Sequence, residues 1–389
     1  MNRATSILIF CVAVLLGLGM ISLYSSSMNM TLNRSEVGSD LLRSQMMWGA
    51  FGLVGCAVAA AVDYRRWKKM AYWILGASVV LLVLVYVPHI GWAATAGRGG
   101  DGTVGAHRWI GPSFLPRLPH FQPSELAKLA VILFLAAYGD YHQRHISQLK
   151  QGLVIPIAIL IIPVALVFKE PDRGCAILLS AAAGTMLIVA GVRMLYLALP
   201  AVLGAGGLAY SLLHDPMRLK RILAWLHPEL TKEGVGYQAY QAMIAFGSGG
   251  WIGVGLGNSR QKLGFLPAHH TDYIFAIIGE ELGLVTTLAV VLIFVTLMFC
   301  GLYIARRAGD PFGMLLAAGI TFMISIQAFI NMGVAAGLLP CKGMPLPFIS
   351  YGGSNLLLML VCVGLLLSIS RAAVEPPAVK ANPFEVSES

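Results

Sequence analysis

Charge is what this chain has least of. Only 12% of its 389 residues are Asp, Glu, Lys or Arg, against 57% hydrophobic ones. That balance excludes an ordinary soluble domain, which carries about 25% charged residues. Cysteine is also scarce: the six (Cys11, Cys56, Cys175, Cys300, Cys341, Cys362) form no Cys-x-x-Cys pair and fall mostly inside apolar runs. They read as small buried residues, neither a zinc site nor a disulfide framework. Internal repeats and low-complexity tracts are missing too. The Gly-rich stretch from Gly250 to Gly257 lacks the Gly-Lys-Ser/Thr ending of a phosphate loop and does not follow a strand. Nucleotide binding is therefore disfavoured, and no nucleic-acid partner is expected.

What the chain does have is long apolar runs. About 20 such residues cross the hydrocarbon core of a bilayer, and ten candidate spans recur: 5–24, 45–62, 71–87, 124–138, 152–168, 175–190, 195–213, 272–304, 312–336 and 353–370. The expected fold is all-α and polytopic, one membrane domain over 1–371 with ten transmembrane helices, followed by a short cytoplasmic tail, 372–389. The first run ends in Leu23-Tyr24-Ser25-Ser26-Ser27 without a convincing cleavage site, so it reads as an uncleaved span. Short loops holding Arg65, Arg66, Lys68 and Lys69, then Arg144 and Lys150, Arg193, and Arg306 with Arg307, share a side with Arg3 and Arg371. The positive-inside rule makes that side, and both termini, cytoplasmic.

Three longer loops face the other way: 88–123, 213–271 and 338–352. Loops held by a rigid scaffold are where sites are usually built. The second carries Arg218, Lys220, Arg221, Lys232, Arg260 and Lys262 against Asp215, Glu229 and Glu233, which points to an anionic partner at the outer face. Within it, 237–246 reads as a short amphipathic helix with Gln238 and Gln241 on it. The glycines of 250–257 read either as a turn or as backbone closely approached by a bulky ligand.

Asp272 opens the eighth span where this basic loop ends. After Thr271 it could be ordinary helix-start chemistry. It could equally be catalytic, because burial beside a hydrophobic span would move a carboxyl towards the pKa of a useful base. His269 and His270 are adjacent and cannot easily share one metal ion. Glu280 and Glu281 follow; one of them must meet the bundle interior or a cation. Glu125 and Lys128 share one face of the fourth span, as a local ion pair or as the lining of a polar cavity. The last loop, 338–355, holds three prolines, Lys342, Ser350 and the Gly352-Gly353 pair. Such non-helical backbone is tolerated at membrane depth only where protein buries it or it lines a cavity. Lys342 is a candidate phosphate clamp, with snorkelling to headgroups as the plainer role.

Several long motifs stand in order along nearly the whole chain: Gly105-Ala106-His107-Arg108-Trp109-Ile110, Phe121-Gln122-Pro123-Ser124-Glu125-Leu126-Ala127-Lys128, Glu170-Pro171-Asp172, Gly247-Ser248-Gly249-Gly250, His270 to Ala276, and Lys342 to Ser354. Together they closely resemble the SEDS family of bacterial cell-wall polymerases. Gly255 to Lys262 and Leu339 to Gly343 look more like the division member than the elongation member. The resemblance implies a peptidoglycan glycosyltransferase that polymerises lipid II into β-1,4 glycan at the outer face of the bacterial inner membrane, at the division septum. It implies Asp272 as general base, and it makes Arg108, Trp109, Glu125, Lys128, Arg221, Gln238, Arg260, Lys262, His270, Lys342 and Ser350 the expected substrate contacts. Implied partners are lipid II, the undecaprenyl-pyrophosphate-linked glycan, a class B penicillin-binding transpeptidase and other division proteins. No protein-bound cofactor is fixed by the residues; a divalent ion, Mg or Mn, could assist at the pyrophosphate. His107, Arg173, His269 and Asn355 depart from the family pattern. A lipid II flippase and a non-catalytic scaffold are the competing readings.

Overall fold

The structure, a computed structural model, describes residues 3–33, 37–87, 91–93, 107–110, 121–170, 172–214, 216–227, 231–232, 234, 236–267 and 270–373. Twelve α-helices are found among them: α1 (Arg3–Asn33), α2 (Val37–Ala61), α3 (Tyr64–Leu84), α4 (Pro123–Tyr141), α5 (Ile155–Lys169), α6 (Arg173–Ala190), α7 (Met194–Leu213), α8 (Pro216–Leu226), α9 (Tyr237–Gly249), α10 (Ile274–Arg307), α11 (Pro311–Ala335) and α12 (Gly353–Ala372). Nine of the described helices are long and apolar enough to cross a bilayer, and the protein is a polytopic membrane protein.

The remaining expected span, α4, is formed but carries Glu125, Lys128 and Asp140, too much charge to face lipid. It can hold them because its neighbours enclose it: from Pro123 to Gly139 only Leu126 escapes burial. With α11 and α12, likewise buried round most of their circumference, α4 forms the centre of the bundle. By contrast, α7 exposes Leu195, Leu199, Val202 and Leu203 and lies on the edge.

At the basic end, connections are short and mutually tied. Asp63 caps α3 by accepting from the Arg65 amide at 2.9 Å, the Tyr64 hydroxyl donates to Asp310 before α11, and Lys68 pairs with Asp140 of α4. At the opposite end lie the described parts of the three long loops. In the first, strands β1 (Gly91–Ala93) and β2 (His107–Ile110) form an antiparallel hairpin that sequence reasoning did not anticipate, with Trp92 opposite Trp109.

The eighth span is not one straight helix. α10 breaks at Gly283, whose backbone is non-helical (φ 75°, ψ −176°). The break exchanges partners with the Gly-rich segment: the amides of Leu284 and Val285 donate to the carbonyls of Gly250 and Trp251, at 2.9 and 3.2 Å. The carbonyls of Glu280 and Glu281, left without those amides, accept from Val254 and Gly255 at 2.9 and 3.0 Å. These four groups freed by the kink are thus paired again. A Cβ on Gly253 would lie 2.2 Å from the Glu281 carbonyl oxygen, so this glycine is required by backbone approach. The approaching backbone is α10 itself, which displaces the expectation of a bulky ligand there.

Candidate active site

The segment entering α10 is held by its own backbone. Three successive carbonyls find partners in the last loop or in α11: His270 accepts from the Tyr351 amide at 3.0 Å, Thr271 from the Ser350 hydroxyl at 2.5 Å, and Asp272 from the Asn331 side-chain amide at 2.9 Å. The helix starts at Ile274 with Tyr273 at the N-cap, so Asp272 stands before the cap and not in the first turn. The helix-start reading of this acid is corrected accordingly.

The facing wall is the loop from Cys341 to Gly352. Gly343 lies directly against the Asp272 carboxylate, and the Tyr273 hydroxyl donates to the Cys341 sulfur at 3.1 Å. Burial, with the neighbouring Cys341, raises the Tyr273 hydroxyl far above its ordinary pKa, which keeps it a donor. Lys342 next to Gly343 reaches the start of α6, its Cε 3.5 Å from where a Cβ on Gly174 would sit. Burial depresses its pKa; Asp172 opposes that shift, while Arg173 and Arg221 add to it. Lys342 thus feels the charges of Arg173 at the start of α6 and Arg221 on α8 as well as that of Asp172.

Beneath the hairpin, the Arg108 Nε donates to the Glu170 carbonyl at 3.2 Å and ties β2 to the end of α5. The Glu170 carboxyl is buried, and neither oxygen has a hydrogen-bond partner among the described residues. Burial first, then Asp172, pushes its pKa up to about 8 against the pull of Arg108, so it is mostly protonated at neutral pH. Asp172 is spoken for: one oxygen caps the Cys175 amide at 3.1 Å and the other accepts from Gln122 at 3.2 Å.

Under the last loop, Glu125 and Lys128 form a buried ion pair at 2.7 Å. Lys128 also donates to Gln327 at 2.9 Å, and Asn355 donates to Glu125 at 2.8 Å. The pair is thus neither a solvated local contact nor isolated. It joins α4 to α11 and α12, and Gln327 carries it up to the Pro345 carbonyl at 2.9 Å.

Other expected contacts lie apart from this group. Lys262 is enclosed: it pairs with Glu281 at 2.7 Å and donates to Ser25 of α1 at 2.9 Å, with both charged side chains almost fully buried. Its expected role as a substrate contact is corrected to that of a structural counter-ion, because a cation so placed has no face left for substrate. Glu280 takes the Ser259 hydroxyl and the amides of Arg260 and Gln261, which closes the short helical turn Gln261–Leu263. The requirement that one of these glutamates meet a cation is met by Glu281. The Arg260 side chain is exposed, and Gln238 is half-exposed on α9. Ser350 is buried and occupied twice, donating to Thr271 and accepting from the Leu346 amide at 2.8 Å, so it shapes the loop. Trp109 is half-buried in β2, and the His270 ring lies 6.1 Å from that of Tyr351. His269, Pro171 and the motif residues Gly105 and Ala106 lie outside the described residues.

Sequence reasoning missed Gln327, Asn331 and Gln45, the last of which brackets the loop through the Ser350 carbonyl and the Gly352 amide. Their signal was there: amides on otherwise apolar helices need partners.

Comparison with known proteins gives a consistent picture. A family model described as cell cycle protein, FtsW/RodA/SpoVE, matches residues 6–375. The "probable peptidoglycan glycosyltransferase FtsW" of Trichlorobacter lovleyi is 40% identical over 94% of this chain and 92% of its own. Stage V sporulation protein E of Bacillus subtilis is 35% identical over 94% of this chain and 96% of its own. Among solved structures, a chain of a peptidoglycan synthase complex that coordinates polymerization and crosslinking superposes with a TM-score of 0.74 at 27% identity, covering 95% of this chain and 98% of that one. The crystal structure of Thermus thermophilus rod shape determining protein RodA gives 0.66 at 25% identity, covering 95% and 97%.

Proposed function

The chain belongs to the FtsW/RodA/SpoVE family of cell cycle proteins, and from that premise we propose that it is a peptidoglycan glycosyltransferase polymerising lipid II with Asp272 as general base. The observation that carries this reading is the placement of one carboxylate, outside the helix and against Gly343, whose neighbour Lys342 reaches the start of α6. A lipid-linked sugar pyrophosphate would set its phosphates against Lys342, Arg173 and Arg221, which neutralise the charge that grows as the bond to the anomeric carbon breaks. Asp272 takes the proton of the acceptor's 4-hydroxyl as it attacks from the opposite face. The α-linked phosphate becomes a β-1,4 bond, the pyrophosphate leaves, and no covalent enzyme intermediate is needed.

A divalent ion arriving with the pyrophosphate would be held chiefly by phosphate oxygens. Among the described residues no three His, Cys, Asp or Glu side chains cluster as ligands.

The reading places the site at the outer face of the bacterial inner membrane, both termini in the cytoplasm, with the septum as the working place. A class B penicillin-binding transpeptidase is the proposed partner, in keeping with the synthase complex that this chain resembles. A flippase would be expected to use broken helices around a midplane cavity. α10 is broken, but the Gly-rich backbone fills the gap, which favours chemistry over transport. The test is to give purified protein lipid II, with and without such a transpeptidase, and look for glycan strands on a gel. Strands are expected; lipid II translocation into vesicles without any polymer would contradict the proposal.

A further inference from the structure

Asn331 is an amide near the C-terminal end of the hydrophobic helix α11, 1% exposed. A buried polar side chain at such depth is costly unless its hydrogen bonds are made. Its Nδ2 makes two, to the Asp272 carbonyl at 2.9 Å and to the Met344 carbonyl at 2.6 Å. Those atoms belong to the two walls of the site. One is the backbone of the acid, the other lies one residue beyond Gly343, which touches the acid's carboxylate. One turn earlier on the same face of α11, Gln327 holds the adjacent carbonyl, Pro345. The Asn331 oxygen, by contrast, has no hydrogen-bond partner among the described residues. The side chain is thus used as a double donor, and a donor is what two facing carbonyls require.

We infer that Asn331 is the positioning residue of the reaction: by clamping Asp272 to the Met344 carbonyl it fixes the carboxylate at the distance from Lys342 and Gly343 that the acceptor hydroxyl needs. The inference rests on Asp272 being the base. The clamp makes no contact with substrate. Its loss acts through the acid, and displacement of a catalytic group by about 1 Å costs on the order of 100-fold in rate.

Steady-state polymerisation of lipid II by Asn331→Ala, Asp272→Asn and the double variant, with the transpeptidase partner present, tests it. The expected result for Asn331→Ala is a fall in kcat of about 100-fold with KM within about threefold of wild type, and no further loss when it is added to Asp272→Asn. Unchanged kcat, an effect confined to KM, or an equal loss in the Asp272→Asn background would overturn the inference. If Asn331→Ala does not accumulate in the membrane, Asn331→Ser, which keeps one donor, is measured instead against the same criteria. Should Asp272→Asn polymerise at the wild-type rate, the base assignment itself fails, which is distinguishable from failure of the clamp alone.

Discussion

A Cβ at position 343 would lie 2.8 Å from the Oδ2 of Asp272, so Gly343 is where the last loop passes against the carboxylate. The obstructing atom is the end of a side chain, which can swing away without disturbing the fold. Gly343→Ala should therefore leave thermal stability in detergent nearly unchanged while lowering kcat for polymerisation by about 10-fold or more. Equal activity would show that the carboxylate has room to spare.

Lys262 and Glu281 form a buried pair, and removing one partner leaves the other charge uncompensated. Lys262→Ala or Glu281→Ala should destabilise the protein by about 3–5 kcal/mol, whereas Lys262→Met with Glu281→Leu should recover most of it. Thermal unfolding in detergent measures both. Because Lys262 is assigned no contact with substrate, the rescued double variant should show an unchanged KM for lipid II.

Much of this was legible in the chain. Hydropathy placed nine of the ten expected spans because bilayer thickness sets a length that apolar runs must reach; the tenth, α4, is formed as a helix but is buried and carries three charges. Asp272 stood out as an acid at the mouth of an apolar span, Lys342 as a cation in a rigid loop, and Arg221 as one of the cations of the second loop. What stayed hidden depends on tertiary pairing. Nothing local says that Lys262 belongs to Glu281, that the glycines of 250–257 replace hydrogen bonds lost at Gly283, or that α8 is a helix of its own. Asn331 was overlooked for the same reason, since its meaning lies in two carbonyls distant in sequence.

Glu170 should impose a pH dependence on stability. Its folded pKa of about 8 lies above the ordinary 4.5, so the unfolded chain loses this proton first as pH rises. The contribution is fully present below about pH 4.5, declines through the interval and is lost above about pH 8. Unfolding temperature in detergent between pH 5 and 8.5 should fall with pH, and less steeply in Glu170→Gln. Parallel curves would remove Glu170 as the cause.

Lys342 is held below the usual lysine range, so it gives up its charge earlier on the alkaline side than an exposed lysine would. If it grips pyrophosphate, KM for lipid II should rise as pH increases, and Lys342→Arg should flatten the rise because guanidinium stays charged. Lys342→Met should raise KM at every pH. A KM indifferent to all three would place the phosphates elsewhere.

The central claim concerns one carboxylate, and Asp272→Asn tests it with almost no change in shape. Wild type and variant, matched for folding and for lipid II binding and supplied with the same transpeptidase partner, are compared by initial rate of glycan strand formation. The account predicts an initial rate from Asp272→Asn about 10²–10⁴-fold below the wild type, with lipid II affinity preserved; strands from the variant at the wild-type rate would contradict it.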